Sequence, residues 1–240
     1  MKLKIWHISD THGYHNLLDI PKNIDIVIHS GDATNQINPA FNNNEMLDFI
    51  DWYSNLDIPV KIFVAGNHDT SIEKRLITKS DFKKAGIIYL ENETIKLYGL
   101  KIFGSPNTLQ YGKWSFMRSE TSLSRLWENI DIDTDIIITH SPPYSILDLA
   151  YRDNKKSVEM TGSKSLIKKV LKINPKFHLF GHLHNNDRLF NFGYRTISHI
   201  DTIFSNGTVV TDGKFGELSS NGNVFEIEVD DKYNTNYIKI

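Results

Sequence analysis

The sequence has 240 residues, of which 40% are hydrophobic and 23% charged, a composition that excludes a wholly disordered chain. No linker or composition shift divides it, so we expect one domain over residues 1–240. The formal net charge of −2 excludes a basic field that would hold long nucleic acid or a membrane surface, and the lack of cysteine excludes disulfides and thiolate metal ligands.

Along the chain, short apolar runs rich in β-branched and aromatic residues alternate with helical patterns. The runs predict buried strands and cover residues 3–8, 24–28, 60–64, 136–138 and 177–180. Two intervening segments place apolar residues on one helical face. These residues are Met46, Phe49, Ile50, Tyr53 and Leu56 in the first segment, and Leu166, Ile167, Val170 and Leu171 in the second. The alternation favours a layered α/β architecture.

Further apolar runs follow one another with only turn-like gaps between them. They cover residues 87–90, 94–98, 101–103, 202–204 and 224–229, and they predict meandering strands of a second sheet. We therefore predict a two-sheet sandwich flanked by helices. The segments 104–117 and 141–162 lack clear periodicity and are longer than ordinary connections, so they are predicted to form walls of a substrate site.

Metal-capable side chains follow five of the predicted strands, at the point where each strand ends. The clusters are Ser9-Asp10-Thr11-His12, Gly31-Asp32, Gly66-Asn67-His68-Asp69, Thr139-His140-Ser141 and Gly181-His182-Leu183-His184. Ligands of α/β folds gather beyond the carboxyl ends of strands, so the five clusters are predicted to converge. Their imidazole, carboxylate and amide groups suit a pair of divalent ions, with Asp32 as the carboxylate able to bridge both.

Each cluster has a simpler interpretation when it is taken alone. Asp-x-His and Gly-Asp sequences are more often turn or capping features, and Gly-Asn-His-Asp can form a tight turn. In contrast, side chains two residues apart lie on the same side of an extended segment and can reach a common site. Asp10 and His12 have this spacing, and so do His182 and His184. Five clusters in this order, each at a strand end, favour the metal site over five separate turns.

These residues carry a resemblance to a known family. The series from Asp10 to His184 resembles the motifs of the calcineurin-like metallophosphoesterase superfamily, over residues 5 to about 206. The segments 8–12, 104–106 and 139–143 resemble the metallophosphoesterase-domain branch, whose characterised members act as cyclic-nucleotide or other phosphodiesterases. The resemblance implies an α/β fold, a four-layer αββα sandwich of two mixed β-sheets flanked by helices. Residues 208–240 match the family poorly.

The resemblance also implies the metal ligands and two divalent ions as cofactors. One ion would be held by Asp10, His12, Asp32 and His184, and the other by Asp32, Asn67, His140 and His182. We favour manganese, and iron, zinc, cobalt and nickel suit the same ligands. A hydroxide that bridges the ions would attack phosphorus in line. His68 is the predicted leaving-group acid, because it is next to a ligand without being one, and Asp69 is predicted to orient it.

Substrate contacts are expected from the two long segments. Aromatic residues are predicted to stack on a nucleobase, and polar ones to contact phosphate or sugar. The first set is Tyr111, Trp114, Phe116 and Tyr144, and the second is Asn107, Lys113 and Arg118. Ordinary loop packing is the alternative for each residue. His7 and His29 precede motif residues, and they either support ligands or are satisfied within the core.

The leading hypothesis is a metal-dependent phosphoesterase that hydrolyses phosphodiester bonds of small substrates, with cyclic nucleotides as one class. A 5'-nucleotidase-like phosphomonoesterase is the alternative, since the same ligands fit both. A nuclease is disfavoured by the lack of a basic field. A hypothesis from another functional class is a non-catalytic binding scaffold. The complete set of predicted metal ligands argues against it.

The expected partner is therefore a small phosphorylated substrate such as a nucleotide, rather than a membrane or long nucleic acid. No run approaches the roughly 20 apolar residues of a membrane span, and the first apolar run is too short for a signal peptide. A cytoplasmic location is the expectation. The sequence carries no prediction of the oligomeric state.

Overall fold

The computed structural model describes residues 1–152, 157–186, 188–212 and 216–229. Its strands are β1 (Lys2–Ile8), β2 (Ile26–His29), β3 (Val60–Phe63), β4 (Ile88–Tyr89), β5 (Glu93–Leu97), β6 (Leu100–Ser105), β7 (Thr108–Leu109), β8 (Met117–Arg118), β9 (Ile136–Thr139), β10 (Leu149–Arg152), β11 (Ser157–Met160), β12 (Phe177–Phe180), β13 (Gly193–Arg195), β14 (Ile203–Asn206) and β15 (Asn223–Glu228). Its helices are α1 (Pro39–Ser54), α2 (Thr70–Glu73), α3 (Lys79–Lys84), α4 (Glu120–Trp127) and α5 (Lys164–Ile173). No helix in these ranges is long and apolar enough to cross a membrane.

Local sequence signals explain where the two longest helices begin and end. Asn38 precedes α1 and its side chain accepts the backbone N–H of Ala40 at 2.9 Å, while a proline occupies the first helical position. Ser163 caps α5 in the same way, by accepting the backbone N–H of Leu166 at 3.2 Å. Helix α5 ends at Ile173, and the Asn174 that follows adopts a left-handed conformation with φ of 52°.

Two large mixed sheets form the centre of the fold. The first has the strand order β15-β1-β2-β3-β4, in which only β15 is antiparallel to its neighbour. The second has the order β13-β14-β12-β9-β6-β5, with parallel strands in the middle and an antiparallel strand at each edge. Two short pairs, β7 with β8 and β10 with β11, lie outside these sheets.

Alternating side chains of the strands build three hydrophobic clusters that define the layers. Ile26 and Ile28 of β2 belong to the cluster between the sheets, whereas Val27 belongs to the cluster under α1. In β9, Ile136 likewise packs between the sheets and Ile137 packs under α4 and α5. The order helix, sheet, sheet, helix confirms the predicted four-layer αββα sandwich.

Three details differ from the sequence predictions. Strand β4 pairs in parallel with β3, and β15 pairs with β1, so residues 87–90 and 224–229 extend the first sheet rather than the second. The chain passes through α2 and α3 between β3 and β4, which makes this connection a crossover. Leu171 of α5 is 42% exposed, and Ile173 takes the buried position instead. Short apolar runs do not identify their partner strand, because a neighbouring run can pack in either sheet.

Strand ends from both sheets meet at one edge of the sandwich. The backbone N–H of Asp10, after β1, donates to the carbonyl of Gly31, after β2, at 2.8 Å. The N–H of Gly181, after β12, donates to the carbonyl of His140, after β9, at 3.0 Å. Ser9 joins the two sheets, because it forms a parallel bridge with a residue that follows β14. The convergence of the polar clusters therefore follows from the topology.

Candidate metal centre

The turns after these strands use backbone conformations that are rare for L-amino acids. Asp10, His12, Asp32 and His182 have positive φ angles of 53°, 45°, 57° and 73°. Such conformations cost about 1–3 kcal/mol each and persist where the surrounding structure holds them, often at functional sites. Four of the seven predicted ligands are therefore held in directions that local backbone preference would not give.

Two glycines allow these turns to approach one another. A Cβ atom at Gly66 would collide with Oδ1 of Asp32, and one at Gly181 would collide with Oδ2 of Asp10. Neither position can carry a side chain unless a predicted ligand carboxylate moves. The glycines that precede Asn67 and His182 are therefore required by the packing of the site itself.

The structure brings the predicted ligands together in two groups. In the first, Nε2 of His184 lies 3.2 Å from Oδ1 of Asp10 and 3.3 Å from Nε2 of His12. The ligand atoms of these three residues lie within 4.8 Å of one another. Asp10 is buried, and its Oδ2 accepts the backbone N–H of His182 at 2.9 Å and the hydroxyl of Thr208 at 3.0 Å. This group could hold one cation.

The second group consists of Asp32, His140 and His182, whose ligand atoms also lie within 4.8 Å of one another. Nε2 of His140 is 3.2 Å from Oδ2 of Asp32 and 3.0 Å from Oδ1 of Asn67. Asn67 thus adds a neutral oxygen donor to the two imidazoles and the carboxylate. These are the donor types that a divalent transition metal accepts in the absence of thiolate.

Asp32 connects the two groups. Its Oδ2 is 3.2 Å from Nε2 of His140 in the second group and 4.0 Å from Nε2 of His12 in the first. Its Oδ1 accepts the backbone N–H of His68 at 2.7 Å. One carboxylate oxygen therefore faces both groups, which is the position that a bridging ligand needs, while the other oxygen fixes the carboxylate in place.

Three imidazoles are oriented by the ring nitrogen that faces away from the centre. Nδ1 of His12 and Nδ1 of His140 face backbone carbonyl oxygens at 2.9 and 3.0 Å. Nδ1 of His184 lies 3.3 Å from Oδ1 of Asp212. Because an oxygen acceptor requires the hydrogen on Nδ1, the lone pair of each Nε2 is left for the centre. The donor set therefore fits two metal ions that share Asp32.

Negative charge in the centre is concentrated on two carboxylates. Burial would raise the pKa of Asp10 and of Asp32, but contacts with the surrounding imidazoles hold both pKa values well below the usual range. Burial would lower the pKa of His140, but the contact with Asp32 raises this pKa to about 9. The pKa of His184 is raised to about 10 against burial, by Asp10 and Asp212. Asp10 and Asp32 thus keep a negative charge that attracts cations to the centre.

His68 lies beside both groups and belongs to neither. Its ring stacks on Trp114 with centroids 4.3 Å apart, and it meets the His12 ring edge-on with centroids 4.8 Å apart. Its Nδ1 is buried with no hydrogen-bond partner within the described ranges. The backbone of His68 is fixed on both sides, since its N–H donates to Asp32 and its carbonyl accepts from Asn42 at 2.8 Å. The imidazole is therefore held beside the predicted ligands.

Asp69 does not orient His68, contrary to the prediction. Its carboxylate accepts the backbone N–H groups of Gly66, Asp32 and Thr34 at 2.7, 3.0 and 3.1 Å, and the Thr34 hydroxyl at 2.8 Å. Burial and the negative charge of Asp32 raise the pKa of Asp69 to about 7. Asp69 therefore fixes the loop that carries Asp32, because the turn directs its side chain inward and away from the His68 ring.

Three of the predicted substrate contacts are used within the fold. Phe116 is 3% exposed and packs in the cluster under α1. Asn107 is buried and donates to Oδ1 of Asn92 at 2.7 Å. The guanidinium of Arg118 donates to the carbonyl of Met117 at 2.8 Å. Ordinary loop packing, the alternative interpretation, describes Phe116 and Asn107, whereas Arg118 is exposed and bonds a neighbouring carbonyl.

Trp114 and Tyr144, two more of the predicted contacts, also have neighbours other than open space. Trp114 stacks on His68, and Tyr144 lines a second cavity, with Nζ of Lys164 5.0 Å from its ring centroid. The buried His7 and His29 contact serine, threonine and backbone groups rather than predicted ligands. They support the strands that carry the site.

A cavity of about 690 Å³ opens beside the two groups. Asp32, His182 and His184 form part of its lining, together with residues from both long segments. The first segment contributes Tyr111. The second contributes Arg152, the single lysine or arginine among the described lining residues, which pairs with a neighbouring glutamate at 3.1 Å. The two segments therefore form walls of a cavity at the centre, as predicted.

Two contacts to the ligands could not be predicted from the sequence. Thr208 holds Asp10, and Asp212 holds His184, from the part of the chain that resembles the family poorly. A lone threonine and a lone aspartate carry no motif, and both are distant in sequence from their partners. Only the course of the chain after β14 brings them to the site.

The fold and the paired donor groups define a class of protein. The family model for calcineurin-like phosphoesterases matches residues 3–186, and the chain belongs to this family. All seven predicted ligands lie within the matched residues. The chain thus combines membership of this family with two groups of candidate metal ligands.

Sequence relatives agree with the family, and a solved structure agrees with the fold. Human metallophosphoesterase domain-containing protein 1 is 28% identical over 228 residues, covering 85% of this chain and 65% of that protein. The Caenorhabditis elegans UPF0046 protein K07C11.7 is 28% identical over 207 residues, covering 81% and 68%. The crystal structure of TT1561 of Thermus thermophilus has a TM-score of 0.56 at 14% identity, covering 86% and 89%, and supports the fold alone. The chain thus spans just under two thirds of the human relative.

Proposed function

We propose that the protein is a dinuclear metal-dependent phosphodiesterase that hydrolyses small substrates, with cyclic nucleotides as one class. The observation that supports this proposal most strongly is the pair of donor groups that share Asp32 at the lining of a cavity. Two cations at such a centre would neutralise the oxygens of a phosphoryl group during displacement. A phosphoric ester is therefore the substrate that the centre suits.

The proposed ligands of one ion are Asp10, His12, Asp32 and His184, and those of the other are Asp32, Asn67, His140 and His182. Bound ions would polarise the phosphoryl group and supply a water nucleophile at neutral pH. The chain itself fixes the imidazoles and carboxylates by buried hydrogen bonds, so that little reorganisation is needed when substrate arrives. Manganese is the metal we propose, within a donor set that several divalent metals accept.

His68 is the proposed leaving-group acid. Its side chain lines the cavity beside Asn67 and takes no part in either donor group. A diester expels an alkoxide, which leaves slowly unless a proton reaches the departing oxygen. A positioned imidazole would hold that proton at a ring nitrogen and deliver it as the bond breaks.

The charge of the described lining of the cavity favours a diester over a monoester. A phosphate monoester carries close to two negative charges at neutral pH and is best bound by additional cations. Arg152 is the one lysine or arginine among the described lining residues, and Glu159 pairs with it. A nucleotidase-like phosphomonoesterase is the second candidate, because the donor groups suit both reactions.

A substrate panel tests the proposal. The manganese-loaded protein would be assayed with bis-p-nitrophenyl phosphate, p-nitrophenyl phosphate, and 2',3'- and 3',5'-cyclic nucleotides. We expect metal-dependent cleavage of the diesters with a higher kcat/KM than the monoester. Faster monoester cleavage would select the nucleotidase-like alternative. Bound metal without any cleavage would favour the non-catalytic scaffold.

Trp114 is predicted to act through His68 rather than on the substrate. Removal of the stacked ring in Trp114→Ala should lower kcat about three- to tenfold for diesters with alkoxide leaving groups, since an aromatic pair contributes about 0.5–1.5 kcal/mol. Trp114→Phe keeps an aromatic ring and should retain most of the rate. Steady-state kinetics on a methyl p-nitrophenyl diester and a dialkyl diester would check this. Equal loss in both variants, or a change in KM alone, would contradict it.

A further inference from the structure

The loop between β7 and β8 is tied to the turn that carries two of the site residues. The backbone N–H of Thr108 donates to the carbonyl of Phe116 at 3.0 Å and closes the base of the loop. The N–H of Ser115 donates to the carbonyl of Asn67 at 3.2 Å. Tyr111, which follows β7 in this loop, is thereby held beside the donor groups.

The phenol hydroxyl of Tyr111 stands at the edge of the second donor group. It lies 3.4 Å from Nδ2 of Asn67, and the Tyr111 ring centroid is 5.5 Å from that of His182. The residue is 53% exposed and lines the cavity. The hydroxyl is therefore close both to the proposed ligands and to the space that a substrate would occupy.

The direction of the hydrogen bond to Asn67 leaves the hydroxyl proton for another acceptor. Oδ1 of Asn67 faces Nε2 of His140 at 3.0 Å, so its amide nitrogen is the atom that faces Tyr111. An amide N–H can only donate, and the phenol oxygen therefore accepts. A phenol hydroxyl keeps its proton at neutral pH. Tyr111 can then donate that proton in a hydrogen bond towards the cavity.

We propose that Tyr111 is a substrate-binding residue that donates a hydrogen bond to a non-bridging oxygen of the phosphoryl group. The inference rests on the proposed function, because it assigns a part of the same site. A phosphoryl group beside the second donor group presents an oxyanion to this hydroxyl. A neutral donor strengthens recognition of a singly charged diester without the added cation that a doubly charged monoester would favour.

The variant Tyr111→Phe tests this role, because it removes the hydroxyl and keeps the ring. Calorimetric titration of the manganese-loaded protein with inorganic phosphate should show about 10- to 100-fold weaker binding, the range for a hydrogen bond to a charged group. The kcat/KM for bis-p-nitrophenyl phosphate should fall by a similar factor, and manganese content should be unchanged. Tyr194→Phe, on the edge strand β13 at a residue that is 56% exposed, is the matched control and should keep wild-type values.

A phosphate affinity of Tyr111→Phe within twofold of the wild type would overturn the assignment. A wild-type protein that binds manganese but no phosphate would also overturn it. Loss of manganese from Tyr111→Phe would also overturn it, because the hydroxyl would then act on the metal site through Asn67. The titration needs no turnover and so separates the two proposals. If Tyr111→Phe binds phosphate more weakly and the wild type hydrolyses no ester, Tyr111 is supported as a phosphate-binding residue. The same result would reject the phosphodiesterase.

Discussion

The variant Asp32→Asn is expected to lose about 1000-fold or more in kcat/KM on a phosphodiester. One oxygen of Asp32 faces both donor groups, at 3.2 Å from His140 and 4.0 Å from His12, and an amide brings neither the charge nor the second oxygen. A metal centre contributes several kcal/mol to the transition state, and each factor of ten corresponds to about 1.4 kcal/mol. Mass spectrometry of the bound metal should give fewer than two ions per chain.

A second aspartate provides the control for this substitution. Asp57 is exposed in the turn after α1, so Asp57→Asn should keep full activity and metal content. The amide in Asp32→Asn can still accept the backbone N–H of His68, and circular dichroism of the metal-free variant should match the wild type. Wild-type turnover with two ions bound in Asp32→Asn would mean that Asp32 does not bridge them.

The variant His68→Asn is expected to lose much more activity on diesters with poor leaving groups than on diesters with good ones. For a dialkyl diester, kcat should fall about 100- to 10,000-fold, the usual contribution of a general acid. For bis-p-nitrophenyl phosphate the fall should stay below about tenfold, because p-nitrophenolate leaves without a proton. Manganese content should be unchanged, since His68 lies outside both donor groups. Rates with the two diesters, measured side by side, check the prediction.

His199 offers the matched substitution for this experiment. It is exposed, and its φ of 69° is a conformation that asparagine tolerates, so His199→Asn should behave as the wild type. A fall of equal size for both diesters would show that His68 acts in binding or in nucleophile activation instead. Loss of metal from His68→Asn would assign the imidazole to the centre itself.

The motif residues could be predicted because strand ends and side-chain chemistry are local properties. An apolar run that ends in Asp10, Asp32 or His140 identifies both a buried strand and a polar group at its carboxyl end. In a parallel sheet these ends share an edge, so their convergence follows from topology. The family and the αββα fold could therefore be predicted from the sequence.

The remaining features depend on contacts that sequence neighbours do not encode. Asp69 follows His68 directly, yet its carboxylate binds backbone groups of the Asp32 loop. Trp114 was predicted to face a nucleobase and instead stacks on His68. Tertiary packing decides which side of a turn a side chain occupies, and no periodicity signals that choice in an irregular loop.

The single domain over residues 1–240 and the cytoplasmic location stay predictions.

The most direct measurement is a titration of manganese into the metal-free protein, with hydrolysis of bis-p-nitrophenyl phosphate followed at each addition. A dinuclear centre that shares Asp32 predicts that hydrolysis rises mainly with the second equivalent and reaches its plateau at two ions per chain. Full hydrolysis at one ion per chain, or hydrolysis that persists in excess chelator, would contradict the dinuclear phosphodiesterase.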